Sequence, residues 1–140
     1  YHDPKQETIE HEAIISEAFG GKTLKEVFAN LERLAKTDEF AKKTLAKLLK
    51  LPPRCLRVTF EQYNRAKTMN VSEGLEMDYR LTRLMHHDDF AQAVEMLFLK
   101  TGKKPQWSDK SIDIPDEVIN KYFEPIADNF RKIDFVNQKQ

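Results

Sequence analysis

One cysteine and four glycines in 140 residues leave this chain without several kinds of chemistry. Cys55 stands alone, so no internal disulfide can form, and a reducing compartment fits. The glycines offer no phosphate loop, because Gly20-Gly21 lacks both the lysine and the preceding strand of a P-loop. No apolar run approaches the ~18 residues of a membrane span, and no signal sequence is visible. The formal net charge is zero, so no global field favours nucleic acid or a membrane surface. Internal repeats, low-complexity tracts and alternating strand patterns are also missing.

What is there is a globular composition. Hydrophobic residues make up 40% and charged residues 33%, which excludes a disordered chain. The length suits one domain with a real core, so a single helical domain over 1–140 is expected. The charge is uneven: residues 22–68 carry twelve Lys or Arg against five acids. Solvated helix faces explain that excess more simply than an anionic partner does. The chain opens on Tyr1 and not Met, which fits a processed product or a piece of a longer protein.

The periodicity predicts an all-α fold of about seven short helices. Ile9, Ala13, Ile14 and Ala18 keep helical spacing up to a stop at Gly20-Gly21. Thr23 and Glu26 form a capping box, followed by the apolar stripe Leu24, Val27, Phe28, Leu31, Leu34 and Ala35. A third helix starts near Asp38, turns Phe40, Ala41, Leu45, Leu48 and Leu49 inward, and ends before Pro52. Pro53 opens a fourth, carrying Leu56, Val58, Thr59 and Tyr63. Asn70 and Glu73 repeat the capping-box logic for a fifth, whose apolar side holds Leu75, Tyr79, Leu81, Leu84 and Met85. A sixth carries Phe90, Ala93, Val94, Leu97 and Phe98. A turn at Thr101–Pro105 leads to Trp107, read as a core anchor, and Pro115 opens a last helix with Val118, Ile119 and Phe123. The final ten residues are polar enough to fray.

The densest chemical cluster is His86-His87-Asp88-Asp89. Adjacent helical side chains point about 100° apart, so the two histidines do not readily share an ion. Ligand pairs prefer i, i+3 or i+4 spacing, which only His86 with Asp89 satisfies. An acid at 88 or 89 is a good N-cap, and imidazoles suit the end of the preceding helix. The stretch therefore reads as a junction between helices, with a metal site using His2 or His11 as further ligands lacking any spacing support. Cys55 lies near a helix start, where the dipole lowers a thiol pKa, but a buried structural cysteine is the simpler reading. Glu76, Asp78, Arg80 and Arg83 read as surface ion pairs or contacts to another domain. No catalytic constellation emerges.

Several segments resemble the C-terminal portion of the 3-hydroxyisobutyryl-CoA hydrolases of the crotonase (enoyl-CoA hydratase/isomerase) superfamily. Pro53-Arg-Cys55-Leu56-Arg57-Val-Thr59-Phe-Glu-Gln62 is similar to that family's P-x-S-L-K-x-T-x-x-Q. Met77-Asp78-Tyr79-Arg80-Leu81 is similar to M-E-Y-R-L, and Met85-His86-His87-Asp88-Asp89-Phe90 to M-R-G-H-D-F. Pro105-Gln106-Trp107 matches P-x-W, and the opening Tyr1-His2 and Tyr122-Phe123-x-Pro125 also fit. The resemblance implies that this is the helical region of a crotonase-like protein whose α/β spiral core is absent from this chain. The family hydrolyses a β-hydroxyacyl-CoA thioester in valine breakdown with an acidic pair and an oxyanion hole, both in the upstream core. No catalytic residue, metal or resident cofactor is then expected here.

The implied role is to pack on the core, close the acyl-CoA cleft and mediate subunit contacts. The implied partners are that core, acyl-CoA and a second copy of the chain. The implied location is the mitochondrial matrix in a eukaryote and the cytoplasm otherwise. Departures cluster at His87-Asp88, Gln92-Ala93, Glu95-Met96 and Lys100-Thr101-Gly102. Position and charge make Lys100, Lys103 and Lys104 candidate CoA contacts. An alternative is a non-catalytic relative serving as a binding part, such as a component of the mitochondrial ribosome's small subunit, the one case in which nucleic acid would be a partner.

Overall fold

The computed structural model describes residues 11–85, 89–99 and 105–125. The chain divides into two compact units, residues 1–51 and 52–140. The described residues hold seven α-helices, one π-helical turn and one 3-10 turn, and no strand.

The first unit contains α1 (Glu12–Phe19), α2 (Leu24–Leu34) and α3 (Glu39–Leu48). The stripe expected on α2 is buried at Leu24, Val27, Phe28, Leu31 and Leu34, with Ala35 half-buried at the cap. Each such fully buried aliphatic side chain stabilises by about 1.5–3 kcal/mol. Ala18 of α1 and Ala41 of α3 are also buried; these small residues let the flanking helices approach α2, which packs against both. Thr23 caps α2 by accepting from the Glu26 N–H at 3.2 Å, while the Glu26 carboxylate accepts from the Lys22 N–H at 2.7 Å. The box is thus displaced by one residue on its return arm. Gly21 is needed there, since a Cβ would stand 2.8 Å from Glu26 Cβ and 3.0 Å from the Val27 nitrogen. Asp38 caps α3 through Ala41 N–H at 2.7 Å. Leu49, expected to face inward, is the C-cap and is exposed, because α3 ends one residue earlier.

The second unit contains α4 (Pro53–Ala66), α5 (Val71–Met85), α6 (Phe90–Val94) with its π-helical continuation Glu95–Leu99, and α7 (Asp116–Asn120) with the 3-10 turn Lys121–Phe123. Pro53 opens α4 as expected. Asn70 and Glu73 form a reciprocal capping box at α5: Glu73 N–H donates to Asn70 Oδ1 at 3.0 Å and Asn70 N–H to Glu73 Oε2 at 2.8 Å. Pro115 sits at the N-cap of α7, one residue before the first turn in which it was expected.

Here the core departs from the expected stripes. It gathers Val58 of α4, Met77 and Leu81 of α5, and Ile114, Ile119, Tyr122 and Phe123 of the C-terminal segment. Thr59 and Tyr63 are exposed, because α4 turns a more polar side inward (described below). On α5 the buried line runs through Met77 and Leu81, with Leu84 half-buried against it, leaving Val71, Leu75 and Tyr79 as an exposed i, i+4, i+8 ridge. Phe90 and Phe98 are exposed too, at 59% and 75%. Trp107 is half-buried. Ile9, the turn at 101–104 and the last ten residues lie outside the described residues.

Candidate functional site

Helix α4 presents Arg54, Val58, Glu61 and Arg65 at i, i+4, i+7 and i+11, one continuous face of a helix. Arg54 Nε donates to Asp109 Oδ2 at 2.6 Å, and its Nη1 to the Tyr122 hydroxyl at 3.3 Å. Both bonds favour the cation, so Asp109 foremost and then Tyr122 push the guanidinium pKa above its already high ordinary value. Arg57 pairs with Asp116, one helical turn along. Arg65 is held by Glu61 at 2.6 Å and Asn120 at 2.7 Å, with its guanidinium 4.2 Å from the centre of the Phe123 ring. A row of arginines thus straps residues 109–123 along α4. From α5, Arg80 donates to the Phe123 carbonyl at 3.4 Å and pairs with Glu76 at 3.6 Å.

A second clamp stands at the start of α6. Asp89 is 1% exposed, and its Oδ1 accepts from both the Ser108 N–H and the Ser108 hydroxyl at 2.9 Å. Gln92, one turn on, donates from Nε2 to the Gln106 carbonyl at 2.9 Å and accepts the Gln106 N–H at 2.8 Å. A side-chain amide that does both imitates a backbone partner, so residues 106–108 are fixed to α6 as if to a strand edge. Asp89 holds the N-cap position expected of it, yet makes no side-chain cap bond, because its Oδ1 is committed to Ser108. Since Asp89 and Gln92 take the side facing 106–108, Phe90 is turned outward.

Beside this clamp lies a half-open cavity of about 340 Å³. Pro52 and Cys55 line it from the start of α4, and Thr82 and Met85 from the end of α5. Asp89, Phe90 and Ala93 complete the wall from α6. The lining is almost wholly apolar, and the second carboxylate oxygen, Asp89 Oδ2, is buried with no hydrogen-bond donor among the described residues. Cys55, expected to be buried, is half-buried on this wall. A second cavity of similar volume, between Arg65, Glu73, Glu76, Arg80 and Phe123, has its charges already opposed in sign.

The other sequence candidates distribute as follows. His11 stacks on Phe40 within the first unit, ring centres 4.4 Å apart. His2, His86, His87, Asp88, Lys100, Lys103 and Lys104 lie outside the described residues. Among the described residues no three His, Cys, Asp or Glu side chains gather as metal ligands. Likewise, no helix among them is long and apolar enough to cross a membrane. Of the acids and arginines read as surface pairs, Glu76 and Arg80 pair with each other, while Asp78 accepts from Gln62 at 2.6 Å and Arg83 lies 5.9 Å from the Tyr79 ring centre. The arginine row and the Gln92–Gln106 clamp went unread in the sequence. The helical spacing of Arg54, Glu61 and Arg65, and the i, i+3 spacing of Asp89 and Gln92, carried the signal.

Residues 1–123 match the enoyl-CoA hydratase/isomerase family. The chain is 35% identical over 136 residues to the mitochondrial 3-hydroxyisobutyryl-CoA hydrolase of Dictyostelium discoideum, covering 92% of this chain and 35% of that protein. It is 29% identical over 120 residues to the Rattus norvegicus protein of the same name, covering 84% of this chain and 31% of that one. With a probable 3-hydroxyisobutyryl-CoA hydrolase of Arabidopsis thaliana the identity is 25% over 122 residues, 82% and 32% of the two chains. The chain spans about a third of the length of these curated relatives. No solved structure matches it significantly.

Proposed function

This chain belongs to the enoyl-CoA hydratase/isomerase family, and on that premise we propose that it is the C-terminal helical part of a 3-hydroxyisobutyryl-CoA hydrolase-like thioesterase. The observation that carries the proposal is the run of relatives bearing that hydrolase name, aligned over most of the chain. In this reading the chain supports the acyl-CoA cleft and contributes no catalytic group. The acidic pair and oxyanion hole belong to the remaining two thirds of the protein. The exposed ridge Val71, Leu75 and Tyr79 fits a helical unit that packs on something larger, because monomer surfaces rarely leave such apolar rows uncovered. Valine breakdown is the pathway this substrate implies. Relatives named mitochondrial support a mitochondrial location in a eukaryote, the matrix being the expected compartment. Lys100, Lys103 and Lys104 are the proposed contacts to CoA phosphates. The relatives named above lend the ribosomal alternative no support.

The test is release of CoA from 3-hydroxyisobutyryl-CoA by the full-length gene product, followed with a thiol reagent. Turnover by the full-length product and none by the 140-residue chain is expected. A folded full-length product without turnover would refute the hydrolase reading.

A further inference from the structure

The cavity beside Arg65 and Arg80 lies where the described chain ends, and its side chains run in a definite order. Glu73, Glu76, Met77 and Arg80 stand at i, i+3, i+4 and i+7 along α5, a line about 10 Å long on one helix face. Met69 and Phe123 join Met77 in an apolar floor that belongs to the core of the second unit. Phe123 sits at the Arg80 end, since its carbonyl accepts from Arg80 Nη1 at 3.4 Å. The chain therefore leaves the folded unit at one end of a groove whose other end is Glu73. The Glu73 carboxylate accepts the Asn70 N–H and pairs with no cation among the described residues.

The sequence that follows matches that order. Ile126, Phe130 and Ile133 recur at i, i+4 and i+7, a helical stripe that continues into the polar last ten residues. Pro125 suits a first helical turn; Asp128 comes early in the stripe, and Arg131 and Lys132 come late. The family match ends at residue 123, so this segment is an addition beyond it. We propose that residues 126–133 seat as an amphipathic helix in the groove, a C-terminal latch on the second unit. Ile126, Phe130 and Ile133 meet Phe123, Met77 and Met69, as apolar anchors at this spacing do in helix-in-groove recognition. Charge fixes the direction: Asp128 falls toward Arg80, and Arg131 and Lys132 fall toward Glu76 and Glu73. A tether of two residues from Phe123 holds the segment at roughly millimolar effective concentration, which favours it over a free partner of the same chemistry. The latch is independent of thioester hydrolysis, and its test does not require turnover.

The experiment uses the full-length gene product and two readouts by mass spectrometry. Amide hydrogen exchange in residues 126–133 should be at least about tenfold slower than in an unstructured peptide of the same sequence. A carbodiimide, which joins only amines and carboxylates already in contact, should link Lys132 to Glu73 or Glu76. Phe130→Asp alters the segment and leaves the groove intact; it should return residues 126–133 to the unstructured rate and abolish the link. Lys132→Glu places like charges together and should speed exchange in the same residues, less so at high salt. Exchange at the unstructured rate in the unaltered product would overturn the latch. So would protection that survives Phe130→Asp, or links from Lys132 only to residues upstream of Tyr1.

Discussion

Arg54 Nε donates to Asp109 Oδ2 at 2.6 Å, joining the first turn of α4 to a residue 55 positions later. Each side chain is 22% exposed, which places the pair between two regimes. Exposed ion pairs contribute about 0–1 kcal/mol, whereas breaking a buried one costs about 3–5 kcal/mol. A double-mutant cycle with Arg54→Met and Asp109→Asn should give a coupling of about 1–2 kcal/mol by urea denaturation. The Arg57–Asp116 pair, whose acid is 81% exposed, should couple more weakly in the same measurement. The reverse order would contradict the burial argument.

The glycines should respond with opposite signs. At Gly21 a Cβ meets Glu26 and the Val27 backbone, so Gly21→Ala should destabilise by about 1–3 kcal/mol. At Gly74, inside α5, nothing lies within 4 Å of an added Cβ. Gly74→Ala should stabilise by about 0.5–1 kcal/mol, the helix-interior difference between the two residues. Thermal or urea unfolding of the two variants checks the pair together.

The α5 capping box predicts that Asn70→Ala costs about 1 kcal/mol. Glu73→Gln should cost less, because an amide oxygen still accepts the Asn70 N–H. Equal losses would mean that the Glu73 charge at the helix start contributes as much as the Asn70 cap bond.

An exposed row of Val71, Leu75 and Tyr79 should make the isolated chain self-associate. Sedimentation velocity over a tenfold concentration range should show growth in mass, and Leu75→Glu with Tyr79→Glu should suppress it. A concentration-independent monomer with a sharp unfolding transition would count against this.

Charge reversal of Lys100, Lys103 and Lys104 should weaken CoA binding by the full-length product. Three lost phosphate contacts would reduce affinity by at least about tenfold at low salt, with the difference shrinking as salt is added. Unchanged affinity by calorimetry would remove these lysines from the account.

The first unit was legible in the sequence because α2 buries one apolar stripe whose members recur at helical spacing, and Thr23 and Asp38 announce their helices with side-chain caps. The second unit was legible in its helix starts but not in its faces. Its core is partly polar: arginines on α4 and a carboxylate and amide on α6 face inward toward residues 106–123. An apolar-stripe reading assigns Tyr63, Tyr79 and Phe90 to the interior, whereas long-range hydrogen bonds assign that side to their polar neighbours. Periodicity cannot anticipate a partner dozens of residues away. Asp89 shows the same limit locally, since its position fits a cap while its Oδ1 serves Ser108.

The most direct test of the central claim is kcat/KM for 3-hydroxyisobutyryl-CoA, measured on the full-length product with and without these 140 residues, beside the 140-residue chain alone. The account predicts turnover by the intact protein, a severe loss on deletion, and no turnover by the chain alone. Hydrolysis by the chain alone, or undiminished hydrolysis after its removal, would contradict it.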